Sequence, residues 1–371
     1  MAAASVARLG AEPRHTQPVT TCYNDRMRAV SYDTIGGPLT VVEVESPACP
    51  DEGAVVEVRA TGVCRSDWHA WRGHDPVRLP HIPGHEFAGV VAAVGPRVAG
   101  FAVGDRVTAP FVNGCGSCDY CHSGQAQVCP AQTQPGFTGA GSFADLVVVE
   151  AADTNLVRLP DSLGFVTAAA LGCRFATAYH ALTAQAAVLP GEWVVVFGCG
   201  GVGLSAVMIA RCLGARVVAV DPSAAALERA GDLGAGLLVD AEDPVPTILA
   251  ATAGGAHVSM DALGSAPSAL AAVRCLRRRG RHLQVGLMLG ADSRAPLPWD
   301  LVVARELRVL GSHGMAAADY PPMLDLITAG GLQPERLIGR IIGFEQLGEA
   351  LRAMDRPTAT PGIVVADLAR R

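Results

Sequence analysis

The chain has 371 residues, half of them hydrophobic, which is enough for two domains of ordinary size with a substantial buried core. Its net charge of −6 argues against a broad nucleic-acid-binding face, since such a face concentrates Lys and Arg. No apolar run reaches the roughly 18 residues that a membrane span requires. We therefore expect neither a nucleic acid nor a membrane as a partner.

The first 26 residues contain scattered Pro, Ala, Gly and polar residues, without the apolar segment of a signal peptide. A strand-like pattern begins only at Met27. We predict that residues 1–26 form a flexible extension and that the protein is cytoplasmic. The alternative is a targeting peptide, which a mature N-terminus inside this extension would indicate.

From Met27 to about Glu150 the sequence has short strand patterns bounded by Gly or Pro, for example Ala54–Arg59 and Phe87–Val94. Near Thr167 the pattern changes, and Ala-rich stretches compatible with helices alternate with wholly apolar strands. These strands are Trp193–Phe197, Arg216–Val220, Val258–Met260 and His282–Val285. Such a pattern is typical of a buried parallel sheet. The C-terminal part predicts a helix at Tyr320–Ala329 and a closing strand at Ile363–Ala366.

Four cysteines lie close together in the β-rich part, in the pattern C-x2-C-x2-C-x7-C. They are Cys115, Cys118, Cys121 and Cys129. Thiolates at this spacing can surround one tetrahedral Zn²⁺, and nearby glycines let the backbone turn between the ligands. Ordinary free thiols and an iron–sulfur cluster are the alternatives, but an isolated short lobe fits zinc better. A site with four protein ligands is closed, so it predicts a structural zinc.

Three more candidate ligands, Cys64, His85 and Cys173, lie in separate segments. Each alone is more often a core residue than a ligand. Together they can supply two thiolates and one imidazole and leave a fourth position open, as in a catalytic zinc site. Asp67 and Glu86 are carboxylates next to these segments that can orient the ligands. Spacing alone does not bring this set together.

A glycine-rich stretch, Gly198–Gly203, matches G-x-G-x-x-G. It directly follows the predicted strand Trp193–Phe197 and opens an apolar helical stretch, which is the context that dinucleotide binding requires. Its glycines allow a tight turn, and the pyrophosphate would lie at the helix N-terminus. The next strand ends in Asp221, whose carboxylate can bond the adenosine ribose and favours NAD over NADP. The alternative is a glycine-rich turn with an unrelated Asp.

Together these residues resemble the zinc-containing alcohol dehydrogenases of the medium-chain dehydrogenase/reductase superfamily, from about Met27 to the C-terminus. The motifs that carry the resemblance are Gly84–Gly89, Gly104–Val107, the four-cysteine lobe, Cys173, Gly198–Gly203 and Asp261–Gly264. The resemblance implies an α/β protein in which a Rossmann domain is inserted into a GroES-like β-rich catalytic domain. It places the catalytic domain at residues 27–174 and 314–371, the structural-zinc lobe at about 113–130, and the Rossmann domain at 175–313.

The resemblance also implies roles for individual residues. Two zinc ions are expected per chain, one in the lobe and one on Cys64, His85 and Cys173, with Glu86 as a neighbour and Asp67 behind the ligands. Ser66 is expected to contact the substrate oxygen and His69 to end a proton relay, although Ser66 could instead bond local backbone and His69 be a solvated residue. The expected cofactor-binding residues are Arg65, Thr177, Gly198, Gly200, Gly201, Val202, Gly203 and Asp221.

One departure from the family concerns the cofactor. Many relatives carry a basic residue in the final strand that helps to hold the pyrophosphate, whereas the stretch 360–364 contains none. We therefore expect binding to depend more on Arg65 and the helix terminus. Near the motifs, Trp71, Phe111 and Phe137 are candidates for an apolar substrate pocket, with packing in the core as the alternative.

The predicted function is therefore zinc-dependent alcohol dehydrogenase activity, with reversible hydride transfer between a primary or secondary alcohol and NAD. The alternatives are a zinc-assisted reductase of a C=C or C=N bond and a non-enzymatic NAD-binding protein. The resemblance implies a small alcohol, aldehyde or ketone as substrate. It also implies a homodimer or homotetramer that joins through the edge of the Rossmann domain near Leu307–Ser312.

Overall fold

The computed structural model describes residues 24–356 and 361–370, within which the chain forms fifteen β-strands and twelve α-helices. The strands are β1 (Arg26–Ser31), β2 (Thr40–Glu45), β3 (Ala54–Val63), β4 (Glu86–Val94), β5 (Arg106–Thr108), β6 (Leu146–Val149), β7 (Val157–Arg158), β8 (Trp193–Phe197), β9 (Arg216–Val220), β10 (Leu237–Val239), β11 (Ala256–Asp261), β12 (Leu276–Gln284), β13 (Arg308–Gly311), β14 (Ile338–Ile342) and β15 (Ile363–Asp367). The helices are α1 (Arg65–Trp71), α2 (Asp119–His122), α3 (Ala152–Asn155), α4 (Phe165–Ala169), α5 (Ala176–His180), α6 (Gly201–Cys212), α7 (Ala224–Asp232), α8 (Val245–Ala251), α9 (Ala266–Arg274), α10 (Trp299–Ala304), α11 (Tyr320–Thr328) and α12 (Leu347–Arg352). None of these helices is long and apolar enough to cross a bilayer.

The predicted N-terminal extension falls mostly outside the described residues, because residues 1–23 are not among them. Arg26, which the sequence pattern assigns to the extension, instead begins β1. It pairs with Glu45 of β2, and its guanidinium donates a hydrogen bond to the carbonyl of Glu43 at 2.8 Å. Its side chain is exposed, so no apolar pattern marks this first position of the strand.

One sheet has seven strands and combines the β-rich first part of the chain with the two closing strands. Its order is β14-β15-β3-β4-β5-β7, and β6 pairs with β3. The ten-residue strand β3 is central, because it pairs antiparallel with β4, β6 and β15. In this register Gly62 of β3 lies opposite Glu86 of β4 on one side and Val365 of β15 on the other. The end of β3 and the start of β4 are therefore adjacent.

A second sheet consists of six parallel strands in the order β10-β9-β8-β11-β12-β13, with helices in the connections. The apolar strands β8, β9 and β11 are almost entirely buried, as expected for a parallel sheet covered on both faces. From β8 the chain runs outward through β9 and β10 and then returns to β11 on the other side of β8. The carboxyl end of β8 is thus a topological switch point, where ligands bind in open α/β sheets.

A buried helical segment at 165–185 connects the two sheets. It consists of α4, a π-helical turn at Leu171–Phe175, α5 and a second π-helical turn at Ala181–Gln185. Helix α4 packs on β3 and β4, whereas α5 and the first π turn pack on α6. The small apolar residues of the 165–185 segment belong to one continuous core that includes residues of both sheets. The segment therefore brings whatever polar side chains it carries to the junction between them.

Strand β12 is considerably longer than the sequence pattern predicts. The sequence pattern indicates a strand only at His282–Val285, but β12 begins at Leu276. Its first half contains four arginines, Arg277, Arg278, Arg279 and Arg281, which lack the apolar character of a buried strand. Three of them are exposed, and Arg279 adopts φ of 61°, so the strand is irregular at this point.

Candidate active site

The three scattered ligand candidates meet at the junction of the two sheets. Cys64 directly follows β3, His85 directly precedes β4, and the antiparallel pairing of these strands brings the two together. Cys173 enters from the π turn of the connecting helical segment. The ligand atoms of Cys64, His85, Glu86 and Cys173 all lie within 4.8 Å of one another. Cys64, His85 and Glu86 are buried.

Asp67 holds the imidazole of His85 in a defined orientation. Its carboxylate accepts hydrogen bonds from His85 Nδ1 at 2.9 Å, from the backbone N–H of Gly84 at 2.9 Å and from that of Cys64 at 3.1 Å. Nε2 of His85 is buried and has no hydrogen-bond partner among the residues that the structure describes. A buried nitrogen of this kind is costly unless it has a ligand. The carboxylate–imidazole arrangement is the usual one behind a metal-bound histidine.

The donor atoms of this cluster suit a soft divalent cation. The pKa of Cys64 lies well below its usual value because Cys173 hydrogen-bonds to it and the positive charge of Arg174 is nearby, although burial acts in the opposite direction. Two sulfurs and an imidazole form a donor set suited to Zn²⁺. The cluster therefore fits a zinc ion with three protein ligands.

Glu86 is engaged by a residue that sequence analysis overlooked. Its Oε1 accepts hydrogen bonds from the backbone N–H and from Nε of Arg174, at 3.2 and 2.9 Å, and its Oε2 accepts one from Nη2 of Arg174. The only signal in the sequence is that Arg174 follows Cys173. A charged residue there would ordinarily be predicted to reach solvent.

The four cysteines of the lobe form a second compact cluster, with ligand atoms within 4.8 Å of one another. The Sγ atoms of Cys118 and Cys121 are 3.6 Å apart, those of Cys118 and Cys129 3.7 Å, and those of Cys115 and Cys121 4.0 Å. A tetrahedron with Zn–S bonds of about 2.3 Å places its sulfurs about 3.8 Å apart. A Cβ on Gly114 would lie 2.8 Å from the sulfur of Cys121, so this glycine leaves room for the cluster.

The pKa values of two of these thiols are shifted in opposite directions. Hydrogen bonds from Ser117 lower the pKa of Cys115 to about 6, whereas burial raises the pKa of Cys121 to about 12. Without a cation the four sulfurs therefore do not all carry negative charge near neutral pH. A bound Zn²⁺ would stabilise all four as thiolates.

The two candidate relay residues lie on α1, immediately after the first ligand. Ser66 Oγ is 3.9 Å from the sulfur of Cys64. His69 is half-buried, and its Nδ1 is 2.8 Å from Nδ1 of His74, a histidine to which the sequence assigned no role. Burial, together with the nearby charges of His74 and Arg65, lowers the pKa of His69. His69 is therefore neutral at pH values where an ordinary histidine begins to be protonated.

Arg65, the expected pyrophosphate contact, lies against Met354 and Trp68. Its guanidinium donates a hydrogen bond to the carbonyl of Met354 at 2.7 Å and lies 4.8 Å from the centre of the Trp68 ring. Arg65 is exposed, and among the described residues no hydrogen bond joins it to the glycine turn.

The glycine turn Gly198–Gly203 connects β8 to α6 at the switch point. Gly198 has a φ of 91°, and a Cβ on Gly203 would lie 1.7 Å from the carbonyl oxygen of Gly198. Both positions therefore require glycine. Asp221, at the end of β9, accepts hydrogen bonds from the backbone N–H of Cys199 at 2.7 Å and of Ser223 at 2.8 Å. Its carboxylate thus lies directly beside the turn.

The remaining predicted residues surround these features. Thr177 is buried on α5, one turn after Cys173, and Val202 lies in the first turn of α6. The rings of Phe137 and Phe111 are centred 5.2 and 6.0 Å from the His85 imidazole. Trp71, in contrast, is a core residue that donates its indole N–H to the carbonyl of Gly37.

Comparisons with known proteins agree with this geometry. Residues 50–161 match the alcohol dehydrogenase GroES-like domain, and residues 201–329 match the zinc-binding dehydrogenase family. An alcohol dehydrogenase from Geobacillus stearothermophilus is 38% identical over 308 residues, which cover 82% of this chain and 90% of that protein. An alcohol dehydrogenase from Escherichia coli CFT073, solved with NADH, has a TM-score of 0.84 at 25% identity and covers 93% of this chain and 100% of its own. A Sinorhizobium meliloti 1021 protein solved with NADP has a TM-score of 0.82 at 26% identity, with 93% and 100% covered.

The fold, the two clusters of ligand residues and the dinucleotide turn together define a zinc-binding dehydrogenase of the GroES-like and Rossmann type. The chain belongs to the alcohol dehydrogenases of the medium-chain dehydrogenase/reductase superfamily. The fold class and the activity class expected from the sequence are thereby confirmed. A non-enzymatic dinucleotide-binding protein is no longer a competing interpretation.

Proposed function

We propose that this chain is a zinc-dependent alcohol dehydrogenase that couples the oxidation of a primary or secondary alcohol to the reduction of NAD. The observation that supports this most directly is Nε2 of His85, which has no partner among the described residues and lies with the thiols of Cys64 and Cys173 in one cluster. A zinc ion held there would act as a Lewis acid toward the substrate oxygen.

Cys64, His85 and Cys173 would hold the catalytic zinc. Glu86 is better described as its neighbour than as a ligand, since both of its carboxylate oxygens accept hydrogen bonds from Arg174. Three protein ligands leave one position for water or substrate. Cys115, Cys118, Cys121 and Cys129 would hold the second zinc, which gives two per chain.

The proton of the alcohol would leave through Ser66 and then His69. Ser66 lies beside the sulfur of Cys64, so its hydroxyl can reach an oxygen bound near the ligands. His69 is half-buried on the same helix and, when neutral, can accept a proton and pass it outward. His74, hydrogen-bonded to His69, extends this path by one further residue.

The glycine turn, Val202, Thr177 and Arg65 would contact the cofactor. Asp221 favours NAD, because its carboxylate at the end of β9 can bond the ribose hydroxyls and would repel a 2′-phosphate. Phe111 and Phe137 flank His85 and would give the substrate pocket an apolar wall. This arrangement suits an alcohol with a hydrophobic or aromatic substituent.

The domain boundaries at residues 174 and 314 remain predictions, as does the cytoplasmic location. We also propose a homodimer or homotetramer that joins along β13. This strand is an edge of the six-stranded sheet, and Val309 on it is exposed.

Metal analysis combined with a substrate panel tests the proposal. We expect close to two zinc ions per chain and an absorbance increase at 340 nm when an alcohol is added with NAD. The panel should include primary, secondary and aromatic alcohols, and each should be tested with NADP as well. Reduction of an activated C=C or C=N bond without oxidation of any alcohol would instead identify the protein as a biosynthetic reductase.

A further inference from the structure

Arg174 forms a buried ion pair with Glu86 beside the candidate catalytic metal site. Only 7% of the residue is exposed. Two of its three guanidinium nitrogens, Nε and Nη2, donate to the two oxygens of Glu86. A pair this deep must have complementary geometry, because an unpaired charge at the same place would be strongly destabilising.

Two glycines make room for this pair. A Cβ on Gly62 would lie 2.3 Å from Oε2 of Glu86 and 3.2 Å from Nη2 of Arg174, and a Cβ on Gly201 would lie 2.4 Å from Cδ of Arg174. Neither glycine has a positive φ, so backbone conformation does not require a glycine at either position. The Glu86 side chain therefore leaves no room for a Cβ at Gly62 and the Arg174 side chain leaves none at Gly201, so Arg174 lies directly against the dinucleotide turn.

The third guanidinium nitrogen, Nη1, differs from the other two. Among the described residues, Nη1 of Arg174 makes no hydrogen bond, although it lies 3.4 Å from the Cβ position of Gly201. Gly201 is the first residue of α6, a twelve-residue helix whose first N–H groups have no partner within the helix. A free guanidinium donor and a helix N-terminus that converge on one point form a favourable phosphate site.

We propose that Arg174 is a phosphate-binding residue of the cofactor site, with Nη1 bound to the pyrophosphate while Nε and Nη2 remain on Glu86. This inference rests on the dinucleotide cofactor proposed above. In this arrangement Glu86 is a positioning residue, since it fixes the guanidinium plane and directs its free edge toward the turn. The same pair connects the metal site to the cofactor site.

This assignment also accounts for the missing basic residue of the closing strand. Gly62, on which a Cβ would lie 3.2 Å from Nη2 of Arg174, is paired with Val365 of β15. The guanidinium therefore reaches the region next to β15, where the stretch 360–364 offers no cation. The positive charge comes from the helical segment after Cys173 instead of from the strand.

Binding measurements with NADH, ADP-ribose and adenosine on the purified zinc-loaded protein test the proposal. The main variant is the double substitution Arg174→Met with Glu86→Gln, which removes both charges and leaves no unpaired carboxylate. It should weaken the binding of NADH and ADP-ribose about 10- to 100-fold, the loss expected for a charged hydrogen bond, and leave adenosine binding within twofold. The affinity for ADP-ribose should also depend less steeply on salt concentration.

Three further proteins complete the design. Arg216→Met, which changes an exposed arginine at the amino-terminal end of β9, away from the glycine turn, is the matched control and should bind as the wild type does. Glu86→Gln alone keeps the guanidinium and should lose affinity for ADP-ribose only severalfold. Arg174→Lys keeps the charge but not the planar geometry. Its affinity for ADP-ribose should lie between those of the wild type and the double variant. If the double variant does not fold, Arg174→Lys takes its place in the test.

Two results would overturn the assignment. One is wild-type affinity for ADP-ribose in the double variant, or in Arg174→Lys if only the latter folds. The other is an equal loss for adenosine and ADP-ribose, which would indicate a structural role. A wild-type protein that binds neither NADH nor ADP-ribose would instead refute the proposed function itself, so the two failures are distinguishable.

Discussion

The two sulfur-containing clusters of this protein differ in how they are assembled. The lobe draws its four cysteines from one stretch, residues 115–129, of the connection between β5 and β6, so its geometry depends on a few turns and small residues. The cluster of Cys64, His85, Glu86 and Cys173 joins three separate segments and exists only when β3, β4 and the helical segment are packed together. The first is a local property of the chain, and the second is a product of the fold.

Their surroundings differ in the same way. Three of the lobe cysteines are partly exposed, and their sulfurs contact one another and the hydroxyl of Ser117. The other cluster is enclosed and supported by Asp67 behind His85 and by Arg174 on Glu86. A closed set of four ligands stabilises structure, whereas an incomplete set with oriented supports leaves a position for chemistry. Variants in each cluster should therefore separate stability from turnover.

The largest effect on turnover is expected for His85→Ala. Loss of the imidazole removes one of three ligands, so the variant should retain close to one zinc per chain and lose at least about 1,000-fold in kcat/KM. Zinc analysis and steady-state kinetics measure this. His122→Ala, a lobe histidine outside both ligand sets, is the control. Loss of both zinc ions in His85→Ala would show that the two clusters are not independent.

Ser66→Ala sharpens the comparison, because it changes the chemistry without changing a ligand. Turnover should fall about 100-fold, as is usual for the loss of a proton-transfer group, while the zinc content stays at two per chain. Ser205, whose hydroxyl bonds a backbone carbonyl inside α6, provides a control as Ser205→Ala. Unchanged turnover in Ser66→Ala would mean that Ser66 only bonds local backbone.

His69→Gln should have a smaller effect that depends on pH. As a relay residue His69 must be neutral to accept the proton, and burial lowers its pKa below the usual value near 6.5. In the wild type, His69 should therefore remain able to accept the proton until the pH falls below this lowered pKa. The variant should lose severalfold at low pH and less at high pH, where hydroxide can accept the proton. Identical pH–rate profiles for the two proteins would exclude His69 from the relay.

The smallest effect on turnover is expected in the lobe. Cys121→Ser should release the lobe zinc and lower the thermal midpoint by about 5–10 °C, since a closed zinc site contributes to folding. Activity per folded molecule at 25 °C should remain within a fewfold of the wild type. Calorimetry, metal analysis and active-site titration check this. A large loss of kcat in fully folded protein would contradict the division between the two clusters.

Most of the fold was predictable because its signals are local. The apolar strands β8 and β9 were predicted with their observed bounds, and the glycine turn with Asp221 was recognised from its strand–turn–helix context. The start of β12 was not, because arginines that are exposed in the fold carry no periodic apolar signal. The burial of Arg174 was not predictable either, because it depends on Glu86 and on the space above Gly62 and Gly201.

The sequence by itself determined the lobe, the dinucleotide turn and the two kinds of sheet, since each depends on residues that are neighbours along the chain. The tertiary structure brings together Cys64, His85 and Cys173, which the sequence grouped only through a family resemblance, and leaves Nε2 of His85 without a partner among the described residues. It also directed Arg65 toward Met354 and Arg174 toward the turn. The physical reason is that strand pairing and core packing set distances between residues that are remote in sequence, and no local pattern encodes those distances.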